Sequence, residues 1–559
     1  MRLSEYPSKL IVQVLVVVLS SVFVLYRFTP TLPTVMQDEL VYMVQSRHTD
    51  PADARFPNYL FSWVYSSTLL VGTEFYNFVK FLNFIFLAGF GVIIYLLARK
   101  MFGLWVSIAV ALAAVAGPAS LYGSIFMPEA MYIFFAGLSF YLVLKVPAAP
   151  TQSSWKWLIA SGVSMALTSL VKPHALFLTL GFALFFLFAS KWRTESFVNR
   201  IIAAGAFFGT TIAVKLLGGF LLAGPNGVTL FGEYGSVESL FQRFFSLIGG
   251  TADSGGSTAG VEAEAAASAS FLELTVQQFG LHFLAMGFLL APAWYVFFST
   301  KFSVKSSMAE LALCSLGTMM IVISAFGAFV TTTGDDHTDR VLLRYYEFLI
   351  PIVYLGAYEV LKQKHPDGIL KYVFFGVFLL SAVLISANGI AGTEPKLSDS
   401  SYLLGIFDNL DMRWLFSAAL VAAFLFILGS PANLRRYLAA TVSFATIFAG
   451  FSAQQNQLDI NSQPIGSDLA GQYIRDELPG VPGEKIFVIG SDKQLVEASI
   501  FWMDKPGIDY MLYRAGSILP ATEIPDDKTI LVQILGVRLE DVGSSDVVGD
   551  EYIISFLSP

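Results

Sequence analysis

Two adjacent carboxylates, Asp38 and Glu39, come about ten residues after the first apolar run of the chain. Acids held beside a bilayer are costly to desolvate. As a pair they are either solvated loop residues or a site that takes a proton from a hydroxyl. Val41, Tyr42 and Val44 continue a helix-like apolar pattern, so the two acids open an amphipathic helix on the membrane surface, where the helix dipole favours negative charge. Glu129 follows Pro128 in SIFMPEAMYIFF, a pattern that suits the first turn of a helix and places the acid near unsatisfied N–H groups. Lys172 lies between two apolar runs in SLVKPHALFL. It either snorkels to the interface or grips a phosphate as a compact point charge. His174 beside it reads as a polar turn residue.

The fourth group is DDHTDRVLLRYYEFLIP, residues 335–351. Arg340 and Arg344 are four apart and share a face if the segment is helical. Followed by Tyr345 and Tyr346, they look like a phosphate seat on an interfacial aromatic belt. Asp335, Asp336, His337 and Asp339 leave a divalent cation open as a cofactor without marking a metal site. Taken together, these groups suit transfer of a sugar from a polyprenyl phosphate. That reaction needs a carboxylate to deprotonate an acceptor hydroxyl and cations to stabilise the departing phosphate. Asp38 or Glu39 supplies the first, and Lys172, Arg340 and Arg344 supply the second. Between the two acids, Asp38 is expected to be the base, since it precedes the helix and can turn back toward the spans, while Glu39 lies along the helix surface.

The elements that must hold these groups are apolar. Of 559 residues, 55% are hydrophobic, and the mean hydropathy is +0.65. A soluble protein of this length would divide its apolar residues among several cores separated by polar faces. Here they form runs of about 20, enough to cross a hydrocarbon layer of about 30 Å. The runs predict helices over 10–28, 76–97, 104–122, 127–145, 156–171, 174–190, 200–222, 279–298, 308–330, 346–361, 371–389, 413–429 and 437–453, about 13 spans in all. The first run is too long for a signal-peptide core and no small-residue cleavage site follows it, so it reads as a retained anchor. The lone Cys314 excludes an intramolecular disulfide. The net charge is −8, most of it after residue 454, and no basic tract suits nucleic acid.

Arg and Lys mark one side: Arg2 and Lys9, Arg99 and Lys100, Lys191 with Arg193 and Arg200, Lys301 and Lys305, Lys362 with Lys364 and Lys371, then Arg435 and Arg436. The positive-inside rule makes that side cytoplasmic. The chain is thus expected in the inner (plasma) membrane, with its longer loops (29–75, 223–278, 331–345 and 390–412) and its tail on the periplasmic or extracellular face. Thr251 to Ser270, rich in Gly, Ser and Ala, reads as a loose segment. Elaborate loops on one face indicate that the work is done there. The tail reads as α/β: helical spacing over 469–478 and 494–503, strands at KIFVIG (485–490), KTILVQIL (528–535) and 552–556. The fold class is therefore an all-α polytopic membrane domain, residues 1–455, followed by a small exported α/β domain, residues 456–559. KIFVIGSD resembles a nucleotide-binding strand and turn, but no GxGxxG follows, so the tail is expected to be a structural or acceptor-handling domain, and there is no GxxxxGK elsewhere.

The order of an anchor helix, an outward loop with Asp-Glu, Pro-Glu at the fourth span, Lys-Pro after the fifth and Arg-Tyr before a later span resembles the GT-C glycosyltransferases. Within them it is most similar to the branch of the bacterial aminoarabinose lipid A transferases and protein O-mannosyltransferases. The resemblance covers about the first 350 residues. It implies a hexosyl- or pentosyltransferase that uses a polyprenyl-phosphate sugar at the outer face. An acid of the first loop, Asp38 or Glu39, would be the base, Glu129 an assisting acid, and Arg344 the donor-phosphate ligand. Direct displacement would invert the anomeric centre, and membrane lipid would surround the spans. The tail matches no acceptor domain, so a glycan, lipid or protein acceptor stays open. A flippase for a lipid-linked sugar would place charges at the midplane and show two similar halves. A saccharide polymerase would not need Asp-Glu directly after the first span.

Overall fold

The computed structural model describes residues 7–35, 37–147, 152–231, 259–300, 306–332, 340–363, 370–388, 396, 399–407, 410–429, 434–520, 523–525, 527–534, 536–539, 547–549 and 551–557. Each apolar run of the sequence lies on a helix or a broken helix. The first is α1 (Pro7–Leu25), after which the loop folds into α2 (Gln37–Arg47) and the short α3 (Tyr59–Tyr65). Then come α4 (Phe75–Ala98), α5 (Leu104–Ala116), α6 (Glu129–Lys145), α7 (Gln152–Val171), α8 (Ala175–Phe188) and α9 (Phe197–Ala223). The second half holds α10 (Ala259–Leu289), α11 (Ala291–Ser299), α12 (Ser307–Thr332), α13 (Leu349–Gln363), α14 (Leu370–Asn388), α15 (Ser401–Phe407), α16 (Leu410–Gly429) and α17 (Leu434–Asn461).

Length and apolarity alone qualify five helices among the described residues to cross a bilayer, or six if a bent pair counts as one. Of the other runs, those on α7, α14 and α16 form helices of 19 or 20 residues, and the rest form shorter ones. The run at 104–122, for example, leaves the α-helix at Gly117 and finishes as a 3-10 turn from Pro118 to Gly123. The bent pair is α10 and α11, which meet at 89° where the sequence suggested one span over 279–298. Pro292 near the start of α11 lacks an N–H and would clash with the carbonyl four residues back, so the helix ends and restarts. The expected loose segment Thr251–Ser270 is helical from Ala259 onward. AGVEAEAAASAS is dominated by Ala and Glu, both strong helix formers. Residues 335–339, and with them Asp335, Asp336, His337 and Asp339, lie outside the described residues.

The C-terminal unit contains α18 (Gly466–Glu477), β1 (Ile486–Gly490), α19 (Lys493–Met503), β2 (Asp509–Leu512), β3 (Ser517–Leu519), β4 (Ile530–Ile534), β5 (Val537–Leu539), β6 (Val547–Val548) and β7 (Tyr552–Phe556). The main sheet has the order β2-β1-β4-β7-β6. β1 pairs in parallel with β2 and β4, and β7 runs antiparallel to β4. The three strands expected from sequence are there. The edge strand β2 is exposed and β3 and β5 are three residues long, so no pattern announced them. Ile474, Val496, Ile500 and Met503 of the helices cover Ile486, Val488, Ile530 and Val532 of the sheet.

Helix α19 is buried on two sides. Its Phe501 and Trp502 leave the sheet and pack on Phe75 and Tyr76, with ring centroids 5.6 to 6.1 Å apart. Burying two such rings stabilises the contact by about 1.5–3 kcal/mol each. The C-terminal unit is thus seated on the first loop and the start of α4, the side that carries Asp38. The loop is also tied to the end of α17, since Leu32 N–H donates to the Asn461 carbonyl at 2.6 Å.

Candidate active site

Asp38 and Glu39 stand in the first turn of α2, as the pattern implied. They face different ways, however. Glu39 is fully buried and accepts the Phe126 N–H at 2.7 Å. This reverses the expectation that Glu39 lies along the helix surface. Its carboxylate instead fastens α2 to the loop before α6. Asp38 keeps 38% of its side chain exposed and meets Arg344 Nη2 at 3.1 Å. Burial works to raise its pKa, but the charge and hydrogen bond of Arg344, with the charges of Lys172 and Arg340 behind, outweigh it and hold the carboxyl below its ordinary value.

Arg344 lies in a short 3-10 turn, Leu343–Tyr345, so Arg340 and Arg344 do not share a helical face. Its side chain is 10% exposed. Nη2 serves Asp38 and the Tyr345 hydroxyl, the latter at 3.3 Å. Nε and Nη1 are buried with no hydrogen-bond partner among the described residues. Unsatisfied guanidinium donors are expensive inside a protein, and a buried cationic N–H without a partner suits an anion such as phosphate. His282 holds this turn in place. It accepts the Leu342 N–H at Nε2 (3.1 Å), so its Nδ1 carries the proton and donates to Tyr346 Oη at 2.7 Å.

Lys172 and Glu129 form a buried ion pair at 2.7 Å. Lys172 also stands 4.4 Å over the Tyr345 ring, and Arg344 stands 5.2 Å from the same ring. Tyr345 therefore lies against both cations, each contributing about 0.5–2 kcal/mol. Its carbonyl accepts the Tyr132 hydroxyl at 2.7 Å. The second oxygen of Glu129, Oε2, is buried without a hydrogen bond among the described residues. Asp38, Arg344, Tyr345, Lys172 and Glu129 thus form one continuous chain of contacts. Arg340 stands apart from it, with Nε bonded to Asp399 Oδ1 at 2.9 Å, while the Asp399 carbonyl accepts the Arg344 N–H at 2.9 Å.

Replacing Lys172 by Met is expected to destabilise the fold by about 3–5 kcal/mol, because Glu129 is left charged and unpaired in the interior. Lys172→Met with Glu129→Gln should recover most of that loss. Thermal unfolding of the detergent-solubilised variants checks it, and equal melting points for single and double variants would contradict the pairing.

Several partners had no sequence signal. Glu347 is fully buried and accepts from Tyr122 Oη, Ser400 and Ser401 at 2.5 to 2.7 Å. These bonds join the starts of α13 and α15 to the turn before α6. His174 packs 4.6 Å from Tyr345, on the site rather than beside it. Lys80 and Lys215, buried inside α4 and α9, bond backbone carbonyls: Thr29 and Thr31 for the first, Ser169 for the second. Ser169 lies one turn from Lys172.

This fold has relatives. The chain superposes on the crystal structure of ArnT from Cupriavidus metallidurans bound to undecaprenyl phosphate with a TM-score of 0.54, at 15% identity, over 97% of each chain. The fold is that of the GT-C glycosyltransferases. Residues 58–217 match the family described as dolichyl-phosphate-mannose-protein mannosyltransferase, which agrees with the branch that the motif order resembles. The Archaeoglobus fulgidus oligosaccharyltransferase, tethered with an acceptor peptide, aligns over 90% of this chain and 64% of its own, at 14% identity and a TM-score of 0.45. No curated protein matches the sequence itself. In GT-C terms, the match begins just before α3 and ends within α9, so it spans Glu129 and Lys172 but neither Asp38 nor Arg344.

Proposed function

We propose that this chain is a membrane glycosyltransferase that moves a sugar from a polyprenyl-phosphate donor to an acceptor hydroxyl at the outward face, with inversion. The observation that carries the reading is Arg344. On a GT-C fold it is a buried guanidinium with two unpartnered N–H groups, held beside an accessible carboxylate. The ArnT structure with this fold was crystallised bound to undecaprenyl phosphate, which supports the same class of donor here.

In this mechanism Arg344 holds the donor phosphate through one of its unpartnered nitrogens, and Lys172 adds charge from the other side of Tyr345. As the phosphate engages Arg344, the hold on Asp38 weakens and its carboxylate becomes more basic where the acceptor hydroxyl sits. The acceptor oxygen attacks the anomeric carbon and its proton passes to Asp38. The bond from that carbon to the phosphate oxygen breaks, and its electron pair leaves on the polyprenyl phosphate, which gains one negative charge. Arg344 and Lys172 stabilise that charge in a site from which water is largely excluded. The prenyl tail lies along the apolar helices. The positive-inside asymmetry supports a periplasmic or extracellular C-terminal unit.

The test uses the full chain in lipid nanodiscs. Labelled undecaprenyl phosphate is expected to bind saturably and to compete with transfer from a polyprenyl-phosphate sugar. Absence of saturable binding, with no turnover of polyprenyl-phospho-mannose, -glucose or -aminoarabinose, would overturn the reading.

A further inference from the structure

The C-terminal unit reaches Asp38 through one helix. Two ties set the register of α19 against α2: Gln494 Nε2 donates to the Thr34 carbonyl at 2.9 Å, and Arg47 Nε donates to Asp504 Oδ1 at 2.8 Å. His48 Nε2 adds a contact to the same Oδ1 at 2.8 Å. Asp504 ends α19 in the left-handed conformation (φ 52°), which Asp tolerates better than most residues. Residues 494, 497, 501 and 504 recur at helical spacing, so one stripe of α19 faces the first loop. Phe501 within it packs on Phe75, Tyr76 and Phe126. The two ties, at Thr34 before α2 and at Arg47 at its end, bracket Asp38 on one side and Glu497 of α19 on the other.

Glu497 is unusual within that stripe. Its side chain is 6% exposed, yet it makes no hydrogen bond among the described residues, and its one ion-pair partner, Lys493, stands 3.9 Å away. Burial pushes its pKa up, Lys493 opposes this, and the Asp38 charge adds to the rise. Tyr510 closes the other side. Paired with Val488 in the parallel register of β1 and β2, it lies on the helix-bearing face of the sheet, at the free edge and 40% exposed. Its hydroxyl also feels the charge of Glu497.

We propose that Glu497 is an acceptor-binding residue and that the acceptor is a glycan. The assignment rests on the transferase reading above. Two ionised carboxylates offer only hydrogen-bond acceptors, so the group that fits between them carries two donors a few ångströms apart, as neighbouring hydroxyls of a sugar ring do. Asp38 takes the proton of the attacking hydroxyl, and Glu497 holds the hydroxyl next to it. The exposed Tyr510 ring suits the C–H face of a pyranose. A Ser or Thr side chain has one donor only, and a phosphorylated lipid headgroup would be repelled by both acids.

The experiment uses the full chain in proteoliposomes with the polyprenyl-phosphate sugar that wild type turns over. The acceptor probes are methyl glycosides of common hexoses, a Ser/Thr peptide and a phosphorylated glycolipid. Transfer to a glycoside is expected. Glu497→Gln should raise the glycoside KM about tenfold or more, the effect of losing a hydrogen bond to a charged group. It should change kcat little and leave undecaprenyl phosphate binding at the wild-type level. Tyr510→Ala should act in the same direction, and Glu497→Asp should recover part of the affinity. A wild-type glycoside KM in Glu497→Gln would overturn the proposal, as would parallel loss of undecaprenyl phosphate binding or transfer to the peptide or glycolipid alone. Wild type that neither binds undecaprenyl phosphate nor uses any such donor would instead bring down the transferase reading itself.

Discussion

Arg344→Ala is expected to bind undecaprenyl phosphate about 10- to 150-fold more weakly than wild type, which corresponds to the loss of one charge-assisted bond worth about 1.5–3 kcal/mol. Arg340→Ala should cost the donor far less. The reason is the difference in their partners. Arg340 is engaged by Asp399, whereas Arg344 keeps two buried N–H groups with no partner among the described residues. A binding isotherm with labelled lipid measures both. Equal, near-wild-type affinities would remove the phosphate seat. Arg344→Ala should also move the pH profile. Asp38 has its pKa held below the ordinary value chiefly against burial, by Arg344. In wild type the carboxylate stays ionised down to a pH below that value, and kcat/KM falls only as pH drops through the lowered pKa. Without Arg344, burial acts with less opposition, the pKa rises, and the acid limb of the residual activity shifts to higher pH.

Asp38→Asn should lower the rate of sugar transfer by about 10²–10⁴-fold, the usual loss when a general base is removed. Glu39→Gln should retain most of it. Gln keeps an oxygen to accept the Phe126 N–H, the bond that Glu39 makes here, and it stays in the interior away from solvent. Asp38 has the opposite surroundings, with an accessible carboxylate and a cation on one side only. The comparison is made at matched expression with a polyprenyl-phosphate donor. An inactive Glu39→Gln beside an active Asp38→Asn would exchange the two roles, and two active variants would remove the first loop from the mechanism.

The helical character of this protein and the neighbourhood of its site are legible along the chain. Apolar runs of about 20 residues leave a helix as the one arrangement that satisfies every backbone group in lipid. In so apolar a sequence, each charge at the end of a run has to be explained locally. Asp38, Glu129, Lys172, Arg344 and Tyr345 were therefore visible as single residues, and the strands at 486–490 and 530–534 stood out as short buried runs.

What the chain could not reveal was who meets whom. Arg344 finds Asp38 from 306 residues away, and Lys172 finds Glu129 across 43. Pairings at such separations depend on how the helices stack, and no local period encodes that. The same holds for the two acids of the first loop. Their order in sequence suggested that Glu39 would lie along the helix surface, but its carboxylate reaches the Phe126 N–H and is the buried one. One span was expected over 279–298, yet α10 and α11 meet there at 89°. No pattern in the sequence singled out Glu497 or Asp504. Only the docking of α19 on α2, driven by Phe501 and Trp502 burying their rings against Phe75 and Tyr76, brings one of them to Asp38 and clamps the other to Arg47.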